Sequence, residues 1–245
     1  MSEYSEYQEE GYSNGSRNDG PFQTIVGALI LLFTVGVFTA VGWDAYNAVD
    51  KDKTGIRRIF AKRWNERTLV FPIEGTDRAG RRALFDVVVL TKNYGWVRGS
   101  TTELAKDDRR LSPQEIQEEV LAPQLREGLG SARGLIAVGL ASQEGDVARE
   151  EQRGGERAIR TAQWVQEALG ERIPMWTLNL GRYVDPCADC EDTDTSWQRP
   201  FIVIAVRQVD QGTHISEALA EAMSYTTNLP APSRYSAFAF AKFTR

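Results

Sequence analysis

The sequence predicts an α/β fold: a two-layer sandwich in which helices pack mainly on one face of a sheet, preceded by one transmembrane helix. Two observations carry this prediction. Residues 22–43 contain no charged side chain, and a helix of about 20 apolar residues spans the roughly 30 Å hydrocarbon layer of a bilayer. Within residues 68–245, apolar runs of strand length alternate with segments of helical periodicity, an order typical of α/β proteins.

Length and composition exclude several classes of protein. The chain has 245 residues, of which 42% are hydrophobic and 26% charged, so it has enough apolar material for a core. Its net charge of -5 argues against nucleic-acid binding through bulk electrostatics. With two cysteines and the single histidine His214, a disulfide scaffold and most histidine-based chemistry are excluded. We therefore predict no nucleic-acid partner, no metal and no cofactor.

Residues 1–21 form a polar, acidic segment in which Arg17 is the one basic residue. Such a segment cannot bury enough apolar surface to offset the entropy lost on ordering it, so we predict a disordered acidic tail. A docking peptide is the alternative interpretation.

The uncharged segment 22–43 is interpreted as a membrane span and not as a buried core helix, because it has neither helix caps nor a polar stripe. A cleaved signal peptide needs a basic leader, and the residues before this segment are acidic. An ion path needs an ionisable group inside the span, so we predict no ion translocation by this helix alone. Gly36 and Ala40 form a small-xxx-small pair against which another membrane subunit can pack, although ordinary glycine content explains them equally well.

Residues 44–67 form a basic juxtamembrane segment. Their apolar side chains recur at near-helical spacing, which predicts either an amphipathic helix on anionic lipid headgroups or a solvated linker helix. The lysines and arginines after the span outnumber Arg17 before it, so the positive-inside rule places the C-terminal domain in the cytoplasm. These basic residues are Lys51, Lys53, Arg57, Arg58, Lys62, Arg63 and Arg67.

The soluble domain, residues 68–245, is predicted to open with a β-hairpin, because two β-rich runs flank a glycine-containing turn. A helix follows, since Ser112 suits a helix cap, Pro113 suits the first helical position, and Glu115 lies in the first turn. Pro123 predicts a break in this helix. The hairpin strands are 68–73 and 83–90, with a third strand or an irregular turn at 94–97.

The second half of the domain alternates strands and helices. A uniformly apolar run, 134–141, predicts a buried strand, and the helix after it is expected to stop at Gly170. Gly154 and Gly155 are expected to break the first turn of that helix or to mark its true start. The remaining predicted elements are strands at 175–180 and 201–209, a helix at 213–223 and an edge strand at 235–243.

Three short segments share their layout with a known family. They are Val138-Gly139-Leu140-Ala141-Ser142, Arg160-Thr161-Ala162-Gln163-Trp164-Val165 with Leu169, and Gln198-Arg199-Pro200. The block that contains them, about a third of the chain, resembles the OmpA-like, peptidoglycan-associated domain of outer-membrane proteins and flagellar stator subunits. That family has a Gly-His-Thr-Asp turn, a helix carrying Arg-Ala and a strand opening with Asn-Arg-Arg. The resemblance implies a βαβαββ order and a role as a cell-envelope anchor or scaffold subunit.

In that family, the Asp of the turn and the Arg of the helix hold the charged diaminopimelate of peptidoglycan. Here Ser142 takes the position of the Asp, and Thr161 takes that of the Arg. A threonine hydroxyl cannot replace an arginine clamp on a carboxylate, so any peptidoglycan binding depends on neighbouring groups. The resulting candidate ligand-binding residues are Ser142, Gln143, Glu144, Arg157, Arg160 and Arg199.

Cys187 and Cys190 form a CxxC pair in an acidic loop. A local disulfide, two free thiols, and a metal or redox site are the open interpretations, of which the disulfide suits an oxidising compartment. A zinc site needs two more ligands, and acidic neighbours raise the pKa of a thiol, which disfavours redox activity. The disulfide is the interpretation that we carry forward.

The sequence shows no defensible Ser–His or Cys–His arrangement and no glycine-rich phosphate loop, so we predict a non-catalytic protein. We expect a single-pass protein of the bacterial inner membrane, acting as a cell-envelope anchor or scaffold subunit, with the lipid bilayer, peptidoglycan and other membrane subunits as partners. The alternative is a cytoplasm-facing, membrane-tethered interaction module that has lost peptidoglycan binding. The resemblance and the CxxC pair favour a periplasmic domain, whereas the basic flank favours a cytoplasmic one.

Overall fold

The computed structural model describes residues 62–65, 67–91, 93–121, 123–169, 173–184, 195–226 and 229–244. All of them lie within one compact unit, Trp43–Arg245. The predicted tail 1–21, the predicted span 22–43 with Gly36 and Ala40, most of the basic segment 44–67, and the Cys187–Cys190 pair lie outside the described residues. Among the described helices, none is both long enough and apolar enough to cross a membrane.

The core of the domain is a seven-stranded mixed sheet. Its strands are β1 (Lys62–Asn65), β2 (Thr68–Thr76), β3 (Arg82–Leu90), β7 (Gly134–Ala141), β8 (Met175–Arg182), β9 (Ile202–Val209) and β10 (Ala239–Lys242). The strand order is β1-β2-β3-β9-β7-β8-β10. Strands β7 and β8 run parallel, and the other neighbouring pairs run antiparallel. A separate three-stranded sheet contains β4 (Tyr94–Trp96), β5 (Leu104–Lys106) and β6 (Arg109–Arg110).

Four α-helices accompany these strands in the described part of the chain. They are α1 (Pro113–Glu115), which continues as a π-helix (Ile116–Val120), α2 (Pro123–Gly130), α3 (Val147–Leu169) and α4 (Ile215–Ser224). Within the seven-stranded sheet, the order of strand, helix, strand, helix, strand, strand from β3 to β9 is the one predicted, whereas β5 and β6 of the smaller sheet were not predicted. The mixed α/β class and the break before Pro123 are therefore confirmed.

Helix α1 with its π-helical continuation, α2 and α3 pack on one face of the sheet, as predicted, but α4 covers the other face, so the predicted two-layer arrangement is wrong. Every residue of β7 is buried, and successive side chains of a strand point to opposite faces. Ile136 belongs to the core cluster that contains Leu219 of α4, whereas Leu135 belongs to the cluster that contains Ala162 of α3. A strand that is apolar at every position needs cover on both faces, so the sheet lies between two helical layers.

The end of the predicted basic helix 44–67 is also different in the structure. Lys62–Asn65 forms strand β1, which pairs antiparallel with β2 in a register that sets Lys62 opposite Val70 and Asn65 opposite Thr68. The physical reason is that β2 would otherwise be an edge strand with unpaired backbone groups, and β1 satisfies them.

Gly154 and Gly155 do not interrupt helix α3, which begins at Val147 and continues through both of them. The prediction of a break or a start at this pair is wrong, because the glycines serve close packing. A Cβ atom on Gly139 of β7 would lie 1.9 Å from the carbonyl oxygen of Gly154 and 2.4 Å from the backbone nitrogen of Ala158. Strand β7 therefore has no room for a side chain at Gly139, and a Cβ atom on Gly154 would lie 2.4 Å from Oδ1 of Asn179 in β8.

The start of α1 has the predicted cap. The backbone nitrogen of Glu115 donates to the Ser112 hydroxyl at 3.2 Å, and the backbone nitrogen of Ser112 donates to the Glu115 carboxylate at 2.7 Å. These reciprocal bonds form a capping box. The Ser112 backbone N–H and the neighbouring Arg109 guanidinium lower the pKa of Glu115 to about 2.

Asp77 connects the β2–β3 turn to the start of helix α4. Its side chain is fully buried. One carboxylate oxygen accepts hydrogen bonds from the backbone nitrogens of Ala79 and Arg81 at 2.9 and 3.0 Å. The other oxygen accepts from Arg81 Nε at 2.8 Å and from the backbone nitrogen of His214, the N-cap of α4, at 3.0 Å. Burial opposes ionisation, but these donors outweigh it and hold the pKa of Asp77 well below its usual range.

We expect Asp77→Asn to lower the Tm of the full chain by several degrees at pH 7, because an amide cannot accept every donor that faces this side chain. The folded-state pKa is below the ordinary value of 3.8, so this stabilisation is present above that pH and is lost as the pH falls below it. The Tm difference between wild type and variant should therefore shrink as the pH falls below about 4.

Asp108→Asn is the matched control for this prediction. Asp108 is exposed and has a φ of 63°, a conformation that asparagine tolerates well. Its substitution should leave the Tm nearly unchanged at every pH. A constant Tm difference between wild type and Asp77→Asn across the acid range would contradict the proposed ionisation of Asp77.

Candidate functional site

The candidate site begins where β7 ends and the chain enters a polar loop. Ser142 directly follows the strand and is only 3% exposed. The backbone nitrogen of Gln143 donates to the side-chain oxygen of Gln198 at 2.8 Å, and the Gln198 amide returns a bond to the Gln143 side chain at 3.2 Å. Gln198 is fully buried at the end of a 3-10 turn, Ser196–Gln198. These two hydrogen bonds with the buried Gln198 therefore fix the position of the loop.

Three further side chains complete this polar group, which we name the loop cluster: Gln143, Glu144, Arg182, Thr195 and Gln198. Arg182 Nε donates to the carbonyl oxygen of Gln143 at 2.8 Å. The Thr195 hydroxyl donates to the Glu144 carboxylate. On the outside, Arg98 Nε lies 4.0 Å from Glu144, and the Arg98 side chain is 61% exposed. Arg98 and Glu144 thus form the solvent-facing rim of the cluster.

Arg157 of α3 carries a deeply buried charge, at 1% exposure. Each of its three guanidinium nitrogens donates to a main-chain carbonyl: Nε to Ser100 at 2.9 Å, Nη1 to Leu140 at 2.8 Å and Nη2 to Val97 at 3.0 Å. The side chain therefore ties α3 both to the end of β7 and to the segment that follows β4. A guanidinium held in this way is not available to a soluble carboxylate.

The surroundings of Arg157 are aromatic on one side and charged on the other. Its guanidinium carbon lies 5.4 Å from the ring centroid of Trp96, a cation–π contact. Trp96 stacks on Trp164 of α3, with ring centroids 5.4 Å apart. Burial, together with the nearby charges of Arg199 and Arg153, lowers the pKa of Arg157.

Arg199 and Arg160 occupy different environments. Arg199 is 8% exposed, and its backbone carbonyl accepts a hydrogen bond from the backbone nitrogen of Trp96 at 3.0 Å. It lies near enough to Arg157 for the two charges to interact. Arg160 is half-buried on α3 and makes no hydrogen bond or ion pair with the residues that the structure describes. The structure therefore gathers five of the six predicted site residues at one end of β7, and Arg160 is not bonded into this group.

The two positions that replace the family's ligand-holding pair are both inside the protein. Ser142 is 3% exposed, and Thr161 is fully buried within α3. A buried hydroxyl on a helix face that packs on the sheet has no route to a bulky external ligand. The side chains at both positions are therefore buried in the domain.

Sequence reasoning missed Arg182 and Thr195 as members of the loop cluster. Their contacts with Gln143 and Glu144 cross 39 and 51 residues. No local pattern marks such partners, because long-range hydrogen bonds depend on how strands and turns meet. Gln198 was visible only as part of the third family-like segment.

A second polar group lies on the smaller sheet. Glu119, on the π-helix, accepts hydrogen bonds from the Tyr94 hydroxyl at 3.1 Å and from Lys106 Nζ at 3.0 Å. The Lys106 bond lowers the pKa of Glu119, and burial raises the pKa of Tyr94. Glu119 and Lys106 therefore stay charged together over the physiological pH range and hold the π-helix against β4 and β5.

The chemistry that these groups support is hydrogen bonding. In the described ranges, no group of three or more His, Cys, Asp or Glu side chains is placed to hold a metal ion. At the rim of the loop cluster, the Glu144 side chain is 12% exposed and the neighbouring Arg98 side chain is 61% exposed. Such a rim can contact a polar partner surface.

Comparison with known proteins gives no further assignment: no family model matches the chain, and no curated protein or solved structure matches it. The OmpA-like resemblance consequently stays a prediction that depends on the three short segments and on the order of strands and helices.

Proposed function

We propose that this chain is a non-catalytic, membrane-tethered interaction module, an OmpA-like domain that no longer binds peptidoglycan. The observation that carries the proposal is the state of Arg157, whose guanidinium nitrogens all donate to carbonyl oxygens of its own chain. An arginine that clamps a ligand carboxylate must present two of its N–H groups to it. Arg157 instead acts as an internal brace.

Two further features support the proposed loss of peptidoglycan binding. Ser142 and Thr161, which stand where the family has its ligand-holding Asp and Arg, are both buried. When the separate sheet β4–β6 is left aside, the βαβαββ order from β3 to β9 supports the relation to the family at the level of layout. In this proposal, the domain keeps the layout of the family, but the side chains at the family's ligand site stabilise the fold.

The tether and its orientation rest on sequence. The uncharged run 22–43 supports a single membrane span. The excess of Lys and Arg after that run supports a cytoplasmic domain. An alkaline phosphatase fusion to Arg245 of the full chain tests this side, because the enzyme is active only after export. We expect no phosphatase activity, and an active fusion would overturn the cytoplasmic placement.

A second candidate function, anchoring to peptidoglycan, is favoured by Arg160. This side chain is half-buried on α3 and makes no hydrogen bond or ion pair within the described part of the chain. Arg98, 61% exposed at the rim of the loop cluster, offers a second cation.

Sedimentation of the detergent-solubilised full chain with purified peptidoglycan separates the two functions. We expect wild type and Arg160→Ala to remain in the supernatant alike. Co-sedimentation of wild type that Arg160→Ala abolishes would overturn the proposed loss of wall binding and establish the anchor. Arg149→Ala, on the exposed first turn of the same helix, is the matched control for a nonspecific charge effect.

A further inference from the structure

Two polar side chains in the core beside helix α3 have no hydrogen-bond partner among the residues that the structure describes. They are the indole nitrogen Nε1 of Trp96 and the hydroxyl of Thr161. Trp96 is 2% exposed and Thr161 is fully buried, so surface water satisfies neither group. A buried donor without a partner destabilises a fold, and such a group in a native protein indicates a bound water or ion.

The two donors belong to the same part of the core. Arg157, Thr161 and Trp164 follow each other at helical spacings of four and three residues, so they share one face of α3. The ring centroid of Trp96 lies 5.4 Å from the guanidinium carbon of Arg157 and 5.4 Å from the ring centroid of Trp164. The Trp96 indole thus contacts the residues on both sides of Thr161 on this face, and the two donors adjoin one site.

Two buried arginines make the electrostatic potential at this site positive. Arg157 is 1% exposed and Arg199 is 8% exposed. Burial, and after it the charge of Arg199, lowers the pKa of Arg157. The hydrogen bonds of Arg157 go to carbonyl oxygens, which carry no net charge. Because burial of an unpaired charge is costly, an anion close to these guanidinium groups would stabilise the fold.

The carboxylates that act on Arg157 also pair with other arginines. Glu150 and Glu144 both favour the charged form of Arg157. Glu150, however, forms an ion pair with Arg153, and the Glu144 carboxylate lies 4.0 Å from Nε of Arg98. These two carboxylates thus face three arginines, which leaves the region with an excess of positive charge.

We propose that a small inorganic anion, a halide such as chloride, binds in the core beside α3. Trp96 Nε1 and the Thr161 hydroxyl donate hydrogen bonds to it, and its negative charge offsets those of Arg157 and Arg199. A water molecule accepts the same hydrogen bonds but brings no charge. A single-atom ion also suits donors this deeply buried, because a bulky ligand has no route to them. The site depends on neither the tether nor the loss of peptidoglycan binding, so it goes beyond the proposed function.

The test is thermal unfolding of the full chain in detergent, with sodium chloride exchanged for sodium gluconate at constant ionic strength. Gluconate is too bulky for a buried site and serves as the reference anion. A ligand that binds only the folded chain raises its Tm in proportion to the logarithm of its concentration above the Kd. We expect the Tm to be higher by about 3 °C or more in chloride. Equal Tm values in the two salts would assign the site to water and overturn the proposal.

Two variants locate the chloride effect. Trp96→Phe keeps an aromatic ring against Trp164 but removes the indole N–H, and Thr161→Val removes the hydroxyl at a similar side-chain shape. Each should abolish most of the Tm difference between chloride and gluconate. Trp176→Phe is the matched control, because this tryptophan stacks on Phe240 at the edge of the sheet and should leave the difference unchanged. Chloride stabilisation that survives in both Trp96→Phe and Thr161→Val would place the anion elsewhere and overturn the proposal.

Tryptophan fluorescence tests the contact without Trp96→Phe, in case that variant does not fold. Bromide is a heavy halide that quenches the fluorescence of an indole that it contacts. We expect exchange of chloride for bromide to quench the wild-type chain in a saturable way, and Thr161→Ser, which keeps the hydroxyl, to behave alike. Thr161→Val should show only the unsaturable quenching of exposed tryptophans. Saturable quenching of equal size in Thr161→Val and wild type would exclude Thr161 as a ligand and overturn the proposed site.

Discussion

Gly139→Ala is expected to lower the free energy of unfolding by about 3 kcal/mol, through overpacking between β7 and α3. The added Cβ would lie 1.9 Å from the Gly154 carbonyl oxygen and 2.4 Å from the Ala158 nitrogen. Both are backbone atoms of a helix, so they cannot rotate away as a side chain can. The helix must shift, and its contacts with β7 and β8 are lost together.

Urea denaturation of the full chain in detergent, followed by tryptophan fluorescence, measures this effect. Gly130→Ala is the control, because a Cβ there has no atom within 4 Å. It should leave stability unchanged or raise it slightly, since alanine favours a helix. Gly75→Ala should repeat the large loss on the opposite face, where a Cβ would lie 2.0 Å from the Ala218 oxygen of α4. A fully stable Gly139→Ala protein would refute the close packing of α3 on β7.

Arg157→Met is expected to lower the free energy of unfolding by about 3 kcal/mol or more. Methionine approximates the apolar stem of arginine but donates no hydrogen bond. The substitution therefore removes the donors of the Leu140, Val97 and Ser100 carbonyls. Replacing a buried charge by an apolar residue often leaves stability unchanged when its partners are replaced too. Here the three carbonyl groups stay in place without the donor that they had in wild type.

Arg160→Met, the same chemical change three residues further along α3, is the control. Its side chain makes no bond with the described residues, so we expect a change within about 0.5 kcal/mol. The Arg157→Met change should also alter the fluorescence of Trp96, whose ring lies 5.4 Å from the guanidinium carbon. Equal stability of the two variants would contradict the bracing role of Arg157 and reopen its role as a ligand-binding residue.

The two helix predictions that differ from the structure have the same physical origin. Gly154 and Gly155 disfavour a helix in isolation, and local propensity therefore predicted a break. In the folded chain, contact with Gly139 and its strand more than compensates for that local cost. The residues 62–65 likewise carry a helical pattern locally but pair with β2 as a strand, because an edge was available to them.

The local sequence pattern predicts correctly those features that depend on residues close together in the chain. The Ser112–Glu115 capping box involves residues three apart, and the buried strand at 134–141 needs only a run of apolar side chains. The candidate site was predicted less completely. Its members at 142–144 follow β7 directly, whereas Arg182 and Thr195 reach them across 39 and 51 residues.

The sequence by itself determined the α/β class, the order of the main strands and helices from β3 onwards, and the cap at Ser112, because each depends on periodicity or on near neighbours. Only the tertiary structure decided which way Arg157 points and that helices cover both faces of the sheet. The role of a side chain depends on the groups that the fold brings into contact with it. For Arg157, the carbonyls of Val97 and Ser100 arrive from 60 and 57 residues away, so no local pattern could specify that the arginine turns inward.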